Sequence, residues 1–281
     1  MLGVARDTTD TFLVWDFSAI TRGPALNASR SGVGRIGAEV VAVNDSNVAR
    51  GTADRLTAWQ FIAAPARPVS EGFIAVTGHG ALSGPGDDAS QTLLGAAWSG
   101  SGLSTWRTVG TLGVERSRVT LVATDTFVIA LGGRQPNDDP SDRVEVATLG
   151  PGPQAGAFTA TSSLPRPVER PAVLLSDGEL FVCGGRLENG ATDECAVAAV
   201  QPSGALQSFR RLPDLPNPTS GGVLVKRHRR LHLLGASNSQ IAGHRALIFS
   251  LELDALASGW TTSSLRLPTE VELSQAAVLR P

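Results

Sequence analysis

The sequence predicts an all-β fold made by repeating one four-stranded unit, and three observations support it. First, a segment ending on a bulky aromatic recurs at Leu56–Trp59, Gly102–Trp106, Gln154–Phe158, Ala205–Phe209 and Leu256–Trp260, with the aromatics 47, 52, 51 and 51 residues apart. Second, an apolar run meeting glycine recurs at Phe73–Gly78, Phe127–Gly133, Leu180–Gly185 and Leu231–Gly235, its glycines 54, 52 and 51 residues apart. Two series that hold phase over successive intervals mark an internal repeat. Third, no stretch sustains a 3.6-residue period, and 31 Gly with 17 Pro would interrupt helices throughout.

Within a unit the elements follow in a fixed order. An apolar stretch, Arg118–Ala123, leads through the short turn Thr124-Asp125-Thr126 to a second stretch, Phe127–Leu131, which ends in glycines. A polar loop of about ten residues follows, then Arg143–Ala147, a Gly/Pro turn and the aromatic strand. That is four short β-runs per 51 residues, bounded by turn-forming Gly, Pro, Asn and Asp. Some runs, such as Glu145–Leu149, alternate, while others are continuously apolar, as strands buried on both faces should be.

Four-stranded units at a period near fifty predict a β-propeller. Leu131-Gly132-Gly133-Arg134 and Cys183-Gly184-Gly185-Arg186 resemble the double-glycine step of bacterial kelch-repeat propellers, which have galactose-oxidase-like blades. Leu164-Pro165-Arg166-Pro167 is similar to that family's link between blades, and Val197–Phe209 is similar to its glycine turn leading to an aromatic. The physical roles fit. Glycines admit close backbone approach near a narrow axis and take positive φ, and the aromatic fills a wedge that widens outward.

The ends depart from the pattern. Trp15-Asp16-Phe17, Gly78-His79 and Gly235-Ala236 stand where a double glycine is expected. Five aromatic strands predict five blades in a single domain spanning 1–281, roughly 1–66, 67–113, 114–165, 166–216 and 217–270. The segment 271–281, containing Leu273–Leu279, looks like a first strand that closes the ring, since a sheet edge must be satisfied. Six blades are the alternative.

Composition narrows the function classes. A net charge of −2 excludes a strongly basic nucleic-acid binder. No apolar run reaches the roughly 18 residues of a membrane span. The first ten residues lack the apolar core of a secretion signal, although the chain starts inside a blade. There is no Tyr, and 23 of the 24 Lys and Arg side chains are Arg. Tyrosinate copper chemistry and a sialidase's tyrosine nucleophile are therefore excluded. No nucleophile elbow, phosphate loop or CxxC occurs. Gly32-Val33-Gly34-Arg35-Ile36-Gly37 matches the dinucleotide spacing but is read as a loop, since it follows no clear strand and opens no helix.

Antiparallel blades place alternate connections on opposite faces. The second-to-third-strand loops and the links between blades share one face, which collects the long loops near Ser18–Gly37, Gly80–Gln91, Arg134–Asp142, Arg186–Glu194 and Ser237–His244. Loops on a rigid scaffold carry function, so this is the candidate face. Its candidate ligand-binding residues are His79, Arg67, Arg116, Arg134, Arg166, Arg186, Asp88, Asp139 and Glu188. Arg and carboxylate groups there suit bidentate recognition of an anionic ligand or sugar acid. Equally, residues at repeated positions serve the interfaces between repeats.

No metal site or cofactor is expected. Asp87-Asp88 and Asp138-Asp139 lack the alternating spacing of a calcium loop, and the histidines share no helical face. Lys226–Arg230 reads as a solvated basic turn away from the candidate face. Cys183 and Cys195, on neighbouring strands of one blade, are a candidate disulfide, which suits an oxidising compartment. The resemblance implies a non-catalytic scaffold for a protein or glycan, extracellular, periplasmic or on the cell surface. Its alternative is a mutarotase or epimerase acting on a carboxylated sugar at the channel mouth.

Overall fold

The computed structural model describes residues 2–5, 12–15, 20–22, 32–43, 47–52, 58–63, 65–67, 72–238, 240, 243–267 and 273–277. Among these the only helical pieces are two 3-10 turns, His244–Ala246 and Leu256–Ser258. Everything else regular is antiparallel sheet.

Five four-stranded sheets are each built from one continuous stretch. Blade II holds Gly32–Ile36, Glu39–Val43, Asn47–Thr52 and Gln60–Ala63, and blade III holds Ile74–Thr77, Gly80–Ser83, Ser90–Ala97 and Arg107–Arg116. Blade IV holds Thr120–Ala123, Phe127–Leu131, Val144–Thr148 and Thr159–Ala160. Blade V holds Ala172–Ser176, Glu179–Cys183, Cys195–Ala199 and Arg210–Leu212, and blade VI holds Val223–Arg227, Arg230–Leu234, Ile248–Glu252 and Thr261–Thr262. These are the five units that the aromatics announce: Trp59, Trp106, Phe158, Phe209 and Trp260 each immediately precede an outermost strand.

Closure adds a composite sheet, blade I, in which the C-terminal strand Leu273–Ala277 pairs with Leu2–Ala5, followed by Phe12–Trp15 and Ile20–Arg22. The closing strand is innermost, and it touches the innermost strands of blades II and VI, so the ring is sealed. Six four-stranded sheets therefore surround the axis, the alternative count. The segment 1–66 contributes to two of them. Leu2–Ala5 and Phe12–Trp15 are second and third strands, because the first is delivered from the other end of the chain. Sealing a sheet with a distant strand removes the open edge that would otherwise template aggregation.

The core lies between blades. Trp106 is buried among Val41 and Val43 of blade II and Ile74 and Leu94 of blade III. Trp260 packs with Phe181 and Val197 of blade V and Leu233 and Phe249 of blade VI. Its indole Nε1 donates to Pro213 O at 2.9 Å. The aromatics thus fill the inter-blade wedge.

The double glycines tie successive blades. Gly133 N donates to Val168 O at 3.1 Å and Gly185 N to Thr219 O at 2.8 Å. Gly133 has φ 91° and Gly185 φ 121°. A Cβ on Gly133 would lie 2.4 Å from Ser117 O, which leaves no room for another residue.

Two sequence expectations shift by one strand. Gly32–Ile36 is the innermost strand of blade II and Gly37 its tight turn at φ 60°, not a loop. Gly78-His79 is the turn between the first two strands of blade III. The run Phe73–Gly78 is thus a first strand, and the glycine step of that blade is Gly84-Pro85.

Candidate functional site

The ring encloses a central cavity of about 820 Å³. Its wall is made by the innermost strands, with Val76, Val122, Val173, Leu174 and Leu175 half-buried along it. One mouth opens on the long-loop face and is lined by Asp87, Arg118 and Arg170, while Asp177 lies at the other.

Arg118 and Arg170 occupy equivalent positions two residues before an inner strand starts, and both hold left-handed backbone at φ 51° and φ 50°. In blade VI the equivalent is Gly221 at φ 66°. Non-glycine residues in this region cost on the order of 1 kcal/mol each. Arg118 is fixed by its own N–H donating to Gly86 O at 2.7 Å and by Nε donating to Asp87 Oδ1 at 2.9 Å.

Behind Arg118 lies Glu169, fully buried, with three arginines around it. Its Oε2 accepts from Arg134 Nε at 2.5 Å and from Arg118 Nη1 at 3.4 Å. Its Oε1 is 3.7 Å from Arg186 Nε and accepts no hydrogen bond. The backbone enforces the meeting: Glu169 and Arg186 exchange N–H···O bonds at 2.9 and 2.8 Å, as Ser117 and Arg134 do. Each pair joins a link between blades to the residue after a glycine step. The Asp87 hydrogen bond raises the Arg118 guanidinium above its ordinary range. Burial alone would lower Arg134, but Glu169 overrides it and the net direction is upward.

A second buried pair stands nearby. Arg116 Nη2 donates to Glu145 Oε2 at 2.7 Å with both side chains fully buried. Arg116 Nη1 also donates to Gly132 O at 2.7 Å and Arg143 O at 3.0 Å, and Glu145 Oε1 accepts from Gly113 N at 3.0 Å. Burial dominates here and lowers the Arg116 guanidinium despite Glu145. This pair locks blade III to blade IV.

The remaining candidates divide by environment. Arg67 is buried and donates to Gly72 O at 2.9 Å and Ser83 Oγ at 2.7 Å. Arg166 pairs with Glu194 at 2.6 Å. Asp88, Asp139 and Glu188 are exposed on the long loops, with Asp139 accepting from Asn137 Nδ2 at 2.6 Å. His79 falls on the opposite face, in the Gly78-His79 turn, and is not brought to the others. Its misplacement has a local cause, since a two-residue turn containing glycine mimics the glycine step in sequence.

The sulfurs of Cys183 and Cys195 are bonded across directly opposed strand positions. The disulfide clamps the base of the 184–194 loop, which folds into its own small hairpin, Arg186–Leu187 with Gly190–Ala191. Among the described residues no three His, Cys, Asp or Glu side chains gather as a metal site. Lys226–Arg230 forms the turn of blade VI on the face away from the long loops, with Lys226 Nζ 2.9 Å from Asp177. Within that blade His232 Nδ1 meets Ser250 Oγ at 2.8 Å, and burial, then Arg230 and Arg227, push its pKa down to about 4.

Glu169 and Glu145 were not singled out by sequence reasoning. A signal for Glu169 exists: Ser117, Glu169 and Ser220 recur at 52 and 51 residues, and only the middle one is charged.

No protein-family model matches the chain, and no curated protein matches it. In fold the chain is similar to the solved structure of YjhT, with a TM-score of 0.61 and 11% identity over 93% of this chain and 97% of that one. An identity this low carries the propeller architecture alone. Among the described residues no helix is long and apolar enough to cross a membrane.

Proposed function

We propose that the chain is a non-catalytic, kelch-like propeller that holds a protein or glycan partner on its long-loop face. One observation carries this reading: the arginines of that face are committed to the protein itself. Arg67, Arg116, Arg134 and Arg166 all bond or pair with protein groups, and they cross from links to loops so that they stiffen the face. Outside them stands a polar rim that includes Asp88, Asp139, Arg186 and Glu188. A rigid platform with an exposed polar rim suits recognition of another surface. The disulfide favours an oxidising location, so the partner belongs to the periplasm, the cell surface or the medium.

A glycan array and a panel of cell-surface proteins, probed with labelled propeller, test this. Specific capture that drops at least tenfold in a Asp139→Ala/Glu188→Ala double variant is expected, while capture unaffected by it removes the rim from the reading. A second reading, mutarotation or epimerisation of a carboxylated sugar, is favoured by Arg118 and Arg170 at the cavity mouth beside the half-satisfied Glu169. Anomer exchange of sugar acids followed by NMR decides between them, because a scaffold leaves the exchange rate at its buffer value.

A further inference from the structure

We propose that the central channel takes the tail of a long-chain carboxylate, with the ligand's carboxylate at the mouth lined by Arg118 and Arg170. The cavity, about 820 Å³, lies within the range of roughly 300–1,000 Å³ typical of small-molecule sites. Its wall is unusual for the centre of a ring. Val173, Leu174 and Leu175 are consecutive and only half-buried, and Val122 continues the apolar surface on the neighbouring strand. Apolar side chains left incompletely covered around an enclosed space gain about 25 cal/mol per Å² when an apolar ligand covers them. A sugar would find few partners along this stretch. An alkyl chain would find many.

Charge fixes the direction. The charged residues lining the cavity are Arg118, Arg170 and Asp87 at one mouth and Asp177 at the other. The first mouth therefore carries two cations to one carboxylate, and the buried Glu169 behind it is already shared among Arg118, Arg134 and Arg186. An anion is favoured there and disfavoured at the Asp177 end. Just inside the first mouth Thr120 is buried in the cavity wall, and its hydroxyl has no hydrogen-bond partner. The five residues of Ala172–Ser176 make a wall about 16 Å long at roughly 3.3 Å per residue, comparable with an extended dodecanoate.

Calorimetric titration of the full chain with octanoate, decanoate, dodecanoate and dodecyltrimethylammonium tests the proposal. One site per chain is expected, with affinity rising by up to about fourfold per methylene and the cationic amphiphile at least tenfold weaker than dodecanoate. Leu174→Trp should abolish dodecanoate binding by filling the channel. Arg118→Asn keeps a residue that tolerates left-handed backbone and should weaken dodecanoate about tenfold while leaving dodecanol unchanged. Melting curves confirm that each variant folds, and Ala123→Leu replaces Leu174→Trp if that one does not. No saturable binding, equal affinity for octanoate and dodecanoate, equal affinity for the cation, or a filled channel that still binds would each overturn the proposal. The Asp139→Ala/Glu188→Ala variant should bind dodecanoate normally, so loss of rim binding and loss of channel binding are read separately.

Discussion

The two faces of the ring use the same chemistry, arginine against carboxylate, to different ends. On the long-loop face the pairs are buried and join separate blades: Arg116 with Glu145, and Arg134 with Glu169. On the opposite face they are exposed and join adjoining turns of one blade, as in Arg229 with Asp254 and Arg230 with Glu252. Burial weakens screening and makes each partner's loss costly, whereas exposed pairs contribute little beyond solubility. Position in the ring, more than the identity of the pair, decides what an ion pair does.

The largest effect should come from breaking a buried pair. Glu145→Ala leaves the Arg116 guanidinium buried without its carboxylate, and removing one member of such a pair costs about 3–5 kcal/mol. For a chain of 281 residues that corresponds to a fall in melting midpoint on the order of 10 °C. The double variant Arg116→Met/Glu145→Leu sharpens the point, because it removes both charges and should recover most of the loss. Calorimetry of the two variants side by side checks both statements.

Next in size is the disulfide. It closes a short loop between residues 12 apart in sequence, for which about 2–3 kcal/mol of stabilisation is expected. A Cys183→Ser/Cys195→Ser variant should melt lower by several degrees, and reductant should lower the native protein toward the same midpoint. Because the bond clamps the loop that carries Arg186, its loss should also loosen the Arg186–Glu169 contact. Amide exchange should then rise across 184–194 and not in the turn at Lys226–Arg230.

Much of this was legible in the sequence. The repeat phase and the five aromatics are visible because a wedge between blades demands a large side chain at the same place every time. The composite blade was harder to read. Leu2–Ala5 and Phe12–Trp15 are two consecutive apolar strands, and such a pair fits first-and-second as well as second-and-third until the strand from the far end is placed. Arg134 and Arg186 were found through the glycine step, but their shared partner Glu169 lies 35 residues from one and 17 from the other, a separation that local spacing does not connect. The channel wall was hidden for a different reason. An apolar run such as Val173–Leu175 has the same pattern whether it faces a neighbouring blade or an open cavity.

A smaller effect tests whether the basic turn reaches into its own blade. His232 has a pKa near 4 in the folded chain, against an ordinary 6.5, first from burial and then from Arg230 and Arg227. Between those values the unfolded chain binds more protons, so its contribution is fully present above about pH 6.5 and is lost as pH falls toward 4. The loss amounts to about 2 kcal/mol after allowance for partial solvation. His232→Gln should flatten that part of the stability profile. Arg230→Ala should move the His232 titration upward in NMR, and an unmoved titration would leave burial as the whole cause.

The smallest effect is the one that makes the comparison decisive. Arg229 and Asp254 make a direct ion pair, but their side chains are 69% and 59% exposed. Water and salt already solvate both charges, so the attraction competes with hydration and with the entropy of holding two long side chains still. Asp254 is lowered by its hydrogen bond with Arg229, yet at this exposure that shift translates into little stability. Arg229→Ala should leave the melting midpoint within experimental error at both low and high salt. Were it to fall by as much as Glu145→Ala, burial would not be the variable that separates the two faces. The basic turn would then have to be counted among the elements that hold the ring closed.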